Sequence, residues 1–274
     1  MRLIGLHLRL NSNLTTLIEK AIRLELPFFQ CFLVHQYTKR LGKFDDEDVR
    51  NFLALRKNFK DIYLHGSYWI NLAGVRHTQH KSFTRELRLA HQLGFGYMVL
   101  HAGSAKGGKN KRDGIEALAS AMNNILKNER TVEFVLENSA HGRLNIGGDL
   151  QDYKLLLELL DDPDAVSFCI DTAHAHSYGY SLNSEQALET FIEILESTIG
   201  VKRIRLLHLN DTQQKCSSKM DKHEAIGKGL LGDEWLRKFV LHPKLAHIPV
   251  IMELPEMSEL EEFKILQKVR SWHQ

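Results

Sequence analysis

The stretch CIDTAHAHSYGY, residues 169–180, holds Asp171, His174 and His176 within six positions. Carboxylates and imidazoles are the oxygen and nitrogen donors that a zinc-type cation accepts. Spacing alone leaves open which of the two histidines would bind. The same residue types recur at His7, His65, His101, Glu137, His208 and Glu253, with Asp211 soon after His208. Asp221 and His223 alternate, so both would point to one side of an extended segment. A single histidine after a strand is ordinarily a hydrogen-bonded loop residue, and the segment MDKHEAIGKGLLG alone would pass for a solvated turn. The set reads differently. Several carboxylates buried together without a cation are costly, so a metal ion is expected among them.

The elements that must position these residues follow one pattern. Eight short apolar runs, LIGLH, FFQCFLVH, DIYLH, YMVLH, VEFVLE, VSFCID, RIRLLH and IPVIME, end at His7, His35, His65, His101, Glu137, Asp171, His208 and Glu253. Continuous apolar runs of this length suit strands buried on both faces of a parallel sheet. Helical patterns separate them. One opens at the N-cap candidate Asn13, one carries acids in its first turn (DDEDVRNFLALRKNF), and one stops at Gly94. Between His65 and His208 the run ends are 36, 36, 34 and 37 residues apart, the length of a strand–helix unit. Eight such units predict an α/β fold, a (β/α)8 TIM barrel whose site lies at the C-terminal ends of the strands. All eight terminal residues would then share one face. A doubly wound open sheet is the alternative, but no G-x-G-x-x-G follows the first strand. The glycines at 227, 229 and 232 permit a tight loop beside Asp221 and His223.

One domain over residues 1–274 is expected, without a composition shift between units. The 43% hydrophobic and 26% charged content is that of a globular protein, and a net charge of +2 does not by itself argue for nucleic acid. Cys31, Cys169 and Cys216, with no C-x-x-C pair, point to a reducing compartment rather than a disulfide framework. No run approaches a membrane span, and the apolar start is too short for a signal peptide. A soluble cytoplasmic protein, nucleoid-associated or nuclear sites included, is expected, without a membrane partner.

Taken in order, HGSYWINLAG (65–74), HAGS (101–104), LEN (136–138), DTAHAHSYGY (171–180), LHLND (207–211), DKHEAIGKGLLG (221–232) and ELP (253–255) resemble the endonuclease IV family, xylose-isomerase-like barrels of DNA base-excision repair. The resemblance implies three zinc ions. His65, His101 and Glu137 would hold the first. Glu137, bridging, with Asp171, His208 and Glu253 would hold the second. His174, Asp221 and His223 would hold the third. His176 falls where the family has a non-ligand residue and is expected to pack. Three Zn2+ carry +6, and four carboxylates with one bridging hydroxide carry −5. That leaves about +1, which suits a phosphodiester anion; one ion would leave the site negative.

The implied reaction is hydrolysis of the phosphodiester 5′ to an abasic site in double-stranded DNA, giving a 3′-hydroxyl and a 5′-deoxyribose phosphate. Glu137 would position the hydroxide, and no side-chain nucleophile is needed. Trimming of blocked 3′ ends and a monomeric protein are further implications. An extruded abasic sugar costs least because no base is stacked. Tyr68 matches a family residue at the DNA face, and Lys106, Lys109, Lys111 and Arg112 in GSAKGGKNKRDG would contact phosphates.

The chain departs from the family's usual pattern at several loops. Ala102 replaces a proline, and HLRLNSN follows the first strand, where His7 is expected to support a ligand rather than bind. SAHGRLNIGGD follows Glu137, and Thr212-Gln213 follows HLND. The DNA-penetrating loop after the second strand reads HQYTKRLGKFDDED, with Gln36, Tyr37 and Arg40 as its candidate substitutes. These changes spare the ligands and bear on DNA grip. A sugar isomerase or epimerase with one divalent ion at Glu137, Asp171, His208 and Glu253 is the alternative, although it leaves five other ligand-type residues without a shared purpose. A barrel that binds damaged DNA without turnover is a third reading.

Overall fold

The computed structural model describes residues 2–35, 40–76, 80–129 and 131–273. Eight parallel strands close into a barrel in sequence order: β1 (Ile4–Leu8), β2 (Phe29–Cys31), β3 (Tyr63–His65), β4 (Tyr97–His101), β5 (Glu133–Glu137), β6 (Val166–Asp171), β7 (Ile204–His208) and β8 (Val250–Met252). Helices surround it: α1 (Leu14–Arg23), α2 (Asp46–Arg56), α3 (Lys81–Leu93), α4 (Lys111–Asn128), α5 (Gln151–Leu159), α6 (Thr172–Tyr178), α7 (Glu185–Thr198), α8 (Gly232–Leu241) and α9 (Glu259–Ser271). The chain is thus a (β/α)8 TIM barrel. No helix among the described residues is long and apolar enough to cross a membrane.

Local chemistry explains the helix bounds. The Asn13 side chain accepts from the Thr16 amide at the start of α1. Ser258 and Glu261 form a reciprocal capping box on α9. Gly94 closes α3 in the left-handed region, φ 70°, where a side chain would be strained.

Two expectations need correction. The second run does not continue to His35. Strand β2 ends at Cys31, and the chain folds back so that the His35 amide donates to the Arg40 carbonyl. His35 is exposed and outside the ring of strand ends. Helix α6, about two turns following β6, is also absent from the sequence reading, because seven residues are too few to show an apolar period.

The barrel interior is plugged by Phe28, Tyr63, Val99, Val135, Cys169, Leu206 and Ile251, all buried. Each lies two residues before a residue at the barrel mouth. Period-two alternation therefore aims Gln30, His65, His101, Glu137, Asp171, His208 and Glu253 over the top of this plug. A larger apolar shell packs between strands and helices.

Candidate metal centre

Glu137, wholly buried at the end of β5, stands at the middle of the barrel mouth. Its Oε2 lies 3.0 Å from Nε2 of His65 and 3.6 Å from Nε2 of His101. Its Oε1 lies 2.8 Å from Nδ1 of His208 and 3.4 Å from Nδ1 of His174. One carboxylate therefore faces imidazoles from three strands and one helix. Its backbone is also held, since the Tyr153 hydroxyl donates to the Glu137 carbonyl.

Three overlapping groups of carboxylate and imidazole donors emerge among the described residues, beside a fourth in which the Cys169 thiol meets Glu137 and His208. His65, His101 and Glu137 offer atoms within 4.8 Å of one another, and so do Glu137, Asp171, His208 and Glu253. Asp171, His174 and His223 form the third within the same 4.8 Å limit. Asp221 joins this last group, with Oδ1 3.0 Å from Nε2 of His174 and 3.5 Å from Nε2 of His223. All nine residues named from the sequence are thus brought together. His176, two residues beyond His174 on α6, is buried yet in none of the groups.

The donor nitrogens are aimed by backbone carbonyls and side-chain amides. His65 Nδ1 donates to the Gly66 carbonyl at 2.8 Å, which turns Nε2 toward Glu137. His174 Nδ1 donates to the Asn138 carbonyl at 2.9 Å, which turns Nε2 toward Asp221. Two asparagines hold the carboxylates. The Asp171 amide donates to Asn138 Oδ1 at 2.6 Å, and Asn210 Nδ2 donates to Asp171 Oδ2 at 2.6 Å and to Glu253 Oε2 at 3.2 Å.

Gln30 is the positioning residue that the sequence reading missed. Its amide nitrogen donates to Glu253 Oε1 and to His7 Nδ1, each at 2.8 Å. That orientation leaves Oε1 to accept from His208 Nε2 at 3.0 Å, so His208 presents Nδ1 to the centre. The signal was the spacing from Phe28, obscured by extending the strand to His35. His7 lies 3.1 Å from Glu253 Oε1 and shares Gln30 with it, behind the donors rather than among them.

The donor chemistry fits metal. Nε2 of His174 and Nε2 of His223 are buried and face Asp221 Oδ1 at 3.0 and 3.5 Å, yet neither completes an aligned hydrogen bond among the described residues. Such orphaned nitrogens, beside four clustered carboxylates, are what a cation would satisfy. Electrostatics without one are strained. Burial alone would raise the Glu137 carboxyl, but His208, His101 and His65 outweigh it and hold it well below the usual carboxylate range. Burial raises Asp171, against the pull of His174 and His223. Burial pushes His101 down to about 4. At His174 burial is outweighed by Asp171 and Asp221, which raise it well above the usual imidazole value. His65, His174 and His208 are drawn toward the protonated form beside these carboxylates, whereas His101 is not, and divalent ions would replace those protons.

A cavity of about 880 Å3 opens beside the centre, with His7, Arg9, Phe32, Tyr68, His223 and Glu253 on its walls. Tyr68 is 55% exposed, its ring 5.4 Å from Phe32 and 5.6 Å from His101 between centroids. Lys106 and Lys109 are exposed on the β4–α4 loop. That loop is tied to the segment after β3, since the Ser104 amide donates to Asn71 Oδ1 at 2.9 Å. Lys111 is drawn instead to Asp152 at 2.8 Å, and Arg112 to Glu116 at 2.9 Å. Arg40 is exposed on the loop after β2, whereas Gln36 and Tyr37 lie outside the described residues.

The family described as xylose isomerase-like TIM barrel matches residues 18–273. A curated relative named Probable endonuclease 4, from Campylobacter concisus, is 30% identical over 98% of each chain. Another of that name, from Clostridium botulinum, is 29% identical over 95% of each chain. Among solved structures, endonuclease IV from Thermus thermophilus superposes with a TM-score of 0.82 at 27% identity, covering 100% of this chain and 99% of that one.

Proposed function

The chain belongs to the endonuclease IV family of xylose isomerase-like TIM barrels, and from that premise we propose that it is a zinc-dependent DNA repair endonuclease. It hydrolyses the phosphodiester 5′ to abasic sites in double-stranded DNA, leaving a 3′-hydroxyl and a 5′-deoxyribose phosphate, and trims blocked 3′ ends. The convergence of nine donor residues around Glu137 carries this reading.

His65 and His101 with Glu137, then Glu137 with Asp171, His208 and Glu253, then His174, Asp221 and His223 would hold three ions. When bound, such ions supply a water of lowered pKa and positive charge for the phosphate oxygens. The chain's own residues do the remainder. Gln30, Asn138 and Asn210 orient the donors so that little reorganisation is left for the reaction. Tyr68 stands at the rim of the adjacent cavity, where it would border an extruded sugar. Lys106 and Lys109 supply cations for flanking phosphates, with Arg112 and the loop of Tyr37 and Arg40 as further contacts.

A second reading has one observation in its favour. Glu137, Asp171, His208 and Glu253 form a compact four-donor group that could serve a single divalent ion in a sugar isomerase. It leaves the buried Nε2 atoms of His174 and His223 without purpose. Elemental analysis after extensive dialysis separates the two. About three zinc ions per chain are expected, and about one would sink the trinuclear reading.

A further inference from the structure

The connection between β7 and α8, which carries Asp221 and His223, reaches α6 through the Ser217 and Lys219 amides on the His176 and Ser177 carbonyls, and its later part, 222–232, is tied back to the end of β7. Its anchor is Asp211, a fully buried carboxylate that belongs to none of the donor groups. Asp211 Oδ1 accepts from the amides of Thr212 at 2.9 Å and Leu231 at 3.1 Å. Oδ2 accepts from the amides of Gly227 and Gly229, each at 3.0 Å, and from Gly232 at 3.2 Å. The Asp211 carbonyl accepts from the Glu224 amide at 2.8 Å, and the Leu230 amide donates to the Thr212 carbonyl at 2.7 Å. The Thr212 hydroxyl donates to the carbonyl of Lys222, the residue between Asp221 and His223, at 2.7 Å.

The glycines have a specific reason. A Cβ on Gly229 would overlap the Asp211 carboxylate, and Gly227 adopts φ 81°. The segment GKGLLG is therefore a cradle of amides closed on an internal anion, and it is already filled by the protein itself.

We propose that Asp211 is a positioning residue: by latching the 222–232 loop it pre-forms the third ion site and sets its affinity. This rests on the three-ion reading above. A buried carboxylate gives charge-assisted bonds to five amides that a neutral side chain cannot replace, so the loop is ordered before metal arrives. Ion binding at His174, Asp221 and His223 then need not supply that ordering.

The test is Asp211→Asn in the full chain, compared with the unaltered protein in zinc-loaded and chelator-stripped forms. Zinc per chain after dialysis should fall from three to two, and excess zinc should restore both the third ion and incision. A defect of general folding would cost the first two ions as well, so retention of two marks the loss as local. Stripped of metal, the variant should be cut by trypsin at the exposed Lys222 and Lys228 at least about tenfold faster than the stripped parent. Three tightly held ions in the variant, or equal cleavage of the two stripped proteins, would overturn the proposal. Should Asp211→Asn fail to fold, Thr212→Val removes the hydroxyl that donates to the Lys222 carbonyl and accepts from the Gln214 amide, and leaves Asp211 in place. It should weaken the third ion in the same direction, and an unchanged affinity would count against the latch. A parent holding one ion would refute the three-ion reading instead, and the trypsin rates would still decide the latch.

Discussion

Glu137 is the residue on which the centre turns. Among the described residues it is the one carboxylate facing His65, His101, His174 and His208 at once. Glu137→Ala removes the shared donor of two groups and should lower incision by about three orders of magnitude, measured under single-turnover conditions. A near-normal rate would refute its bridging role. The pair on α6 offers a sharper contrast. His174 turns Nε2 toward Asp221 and His223, whereas His176 lies outside every donor group. His174→Ala should cost one zinc ion and most activity, while His176→Phe should keep the zinc content. Equal zinc loss in both would mean that the two histidines share the ion.

At the scale of elements, the strands make the candidate centre and the loops would make the proposed DNA surface. Lys106 and Lys109 stand apart from the ion pairs that occupy Lys111 and Arg112. Replacing both with alanine should weaken DNA binding and reduce the slope of log affinity against log salt by about 2, as two lost phosphate contacts would. An unchanged slope would remove this loop from the interface. The strand ends were legible in the sequence because each apolar run stops at an ionisable residue, and the barrel follows from their even spacing. Run β2 misled, since FFQCFLVH stays apolar past Cys31 where only the fold-back to Arg40 ends the strand. That error hid Gln30, a neutral residue without an ionisable signature. Asp211 was visible as a residue but not as a latch, because all but one of its amide partners lie 16 or more positions away, which no side-chain pattern records.

For the whole molecule, metal and proton would compete for one set of donors. In the metal-free chain burial would lower His65, His174 and His208, but neighbouring carboxylates, joined at His208 by the Cys169 thiol as the largest raising influence, outweigh it and raise all three. Their stabilising contribution is fully present below the unfolded value of about 6.5 and is lost as pH rises through the folded values. Chelator-stripped protein should therefore melt at a lower temperature at pH 8.5 than at pH 6.5, whereas zinc-loaded protein, its imidazoles already neutral, should not. A stripped protein as stable at pH 8.5 as at pH 6.5 would contradict the charge balance described for the centre. The reaction itself gives the most direct test: a labelled duplex containing one abasic analogue, incubated with zinc-loaded protein in excess and without magnesium. A single cut on the 5′ side of the lesion, ending in a 3′-hydroxyl, is the predicted result. No incision at that bond would contradict the proposed function.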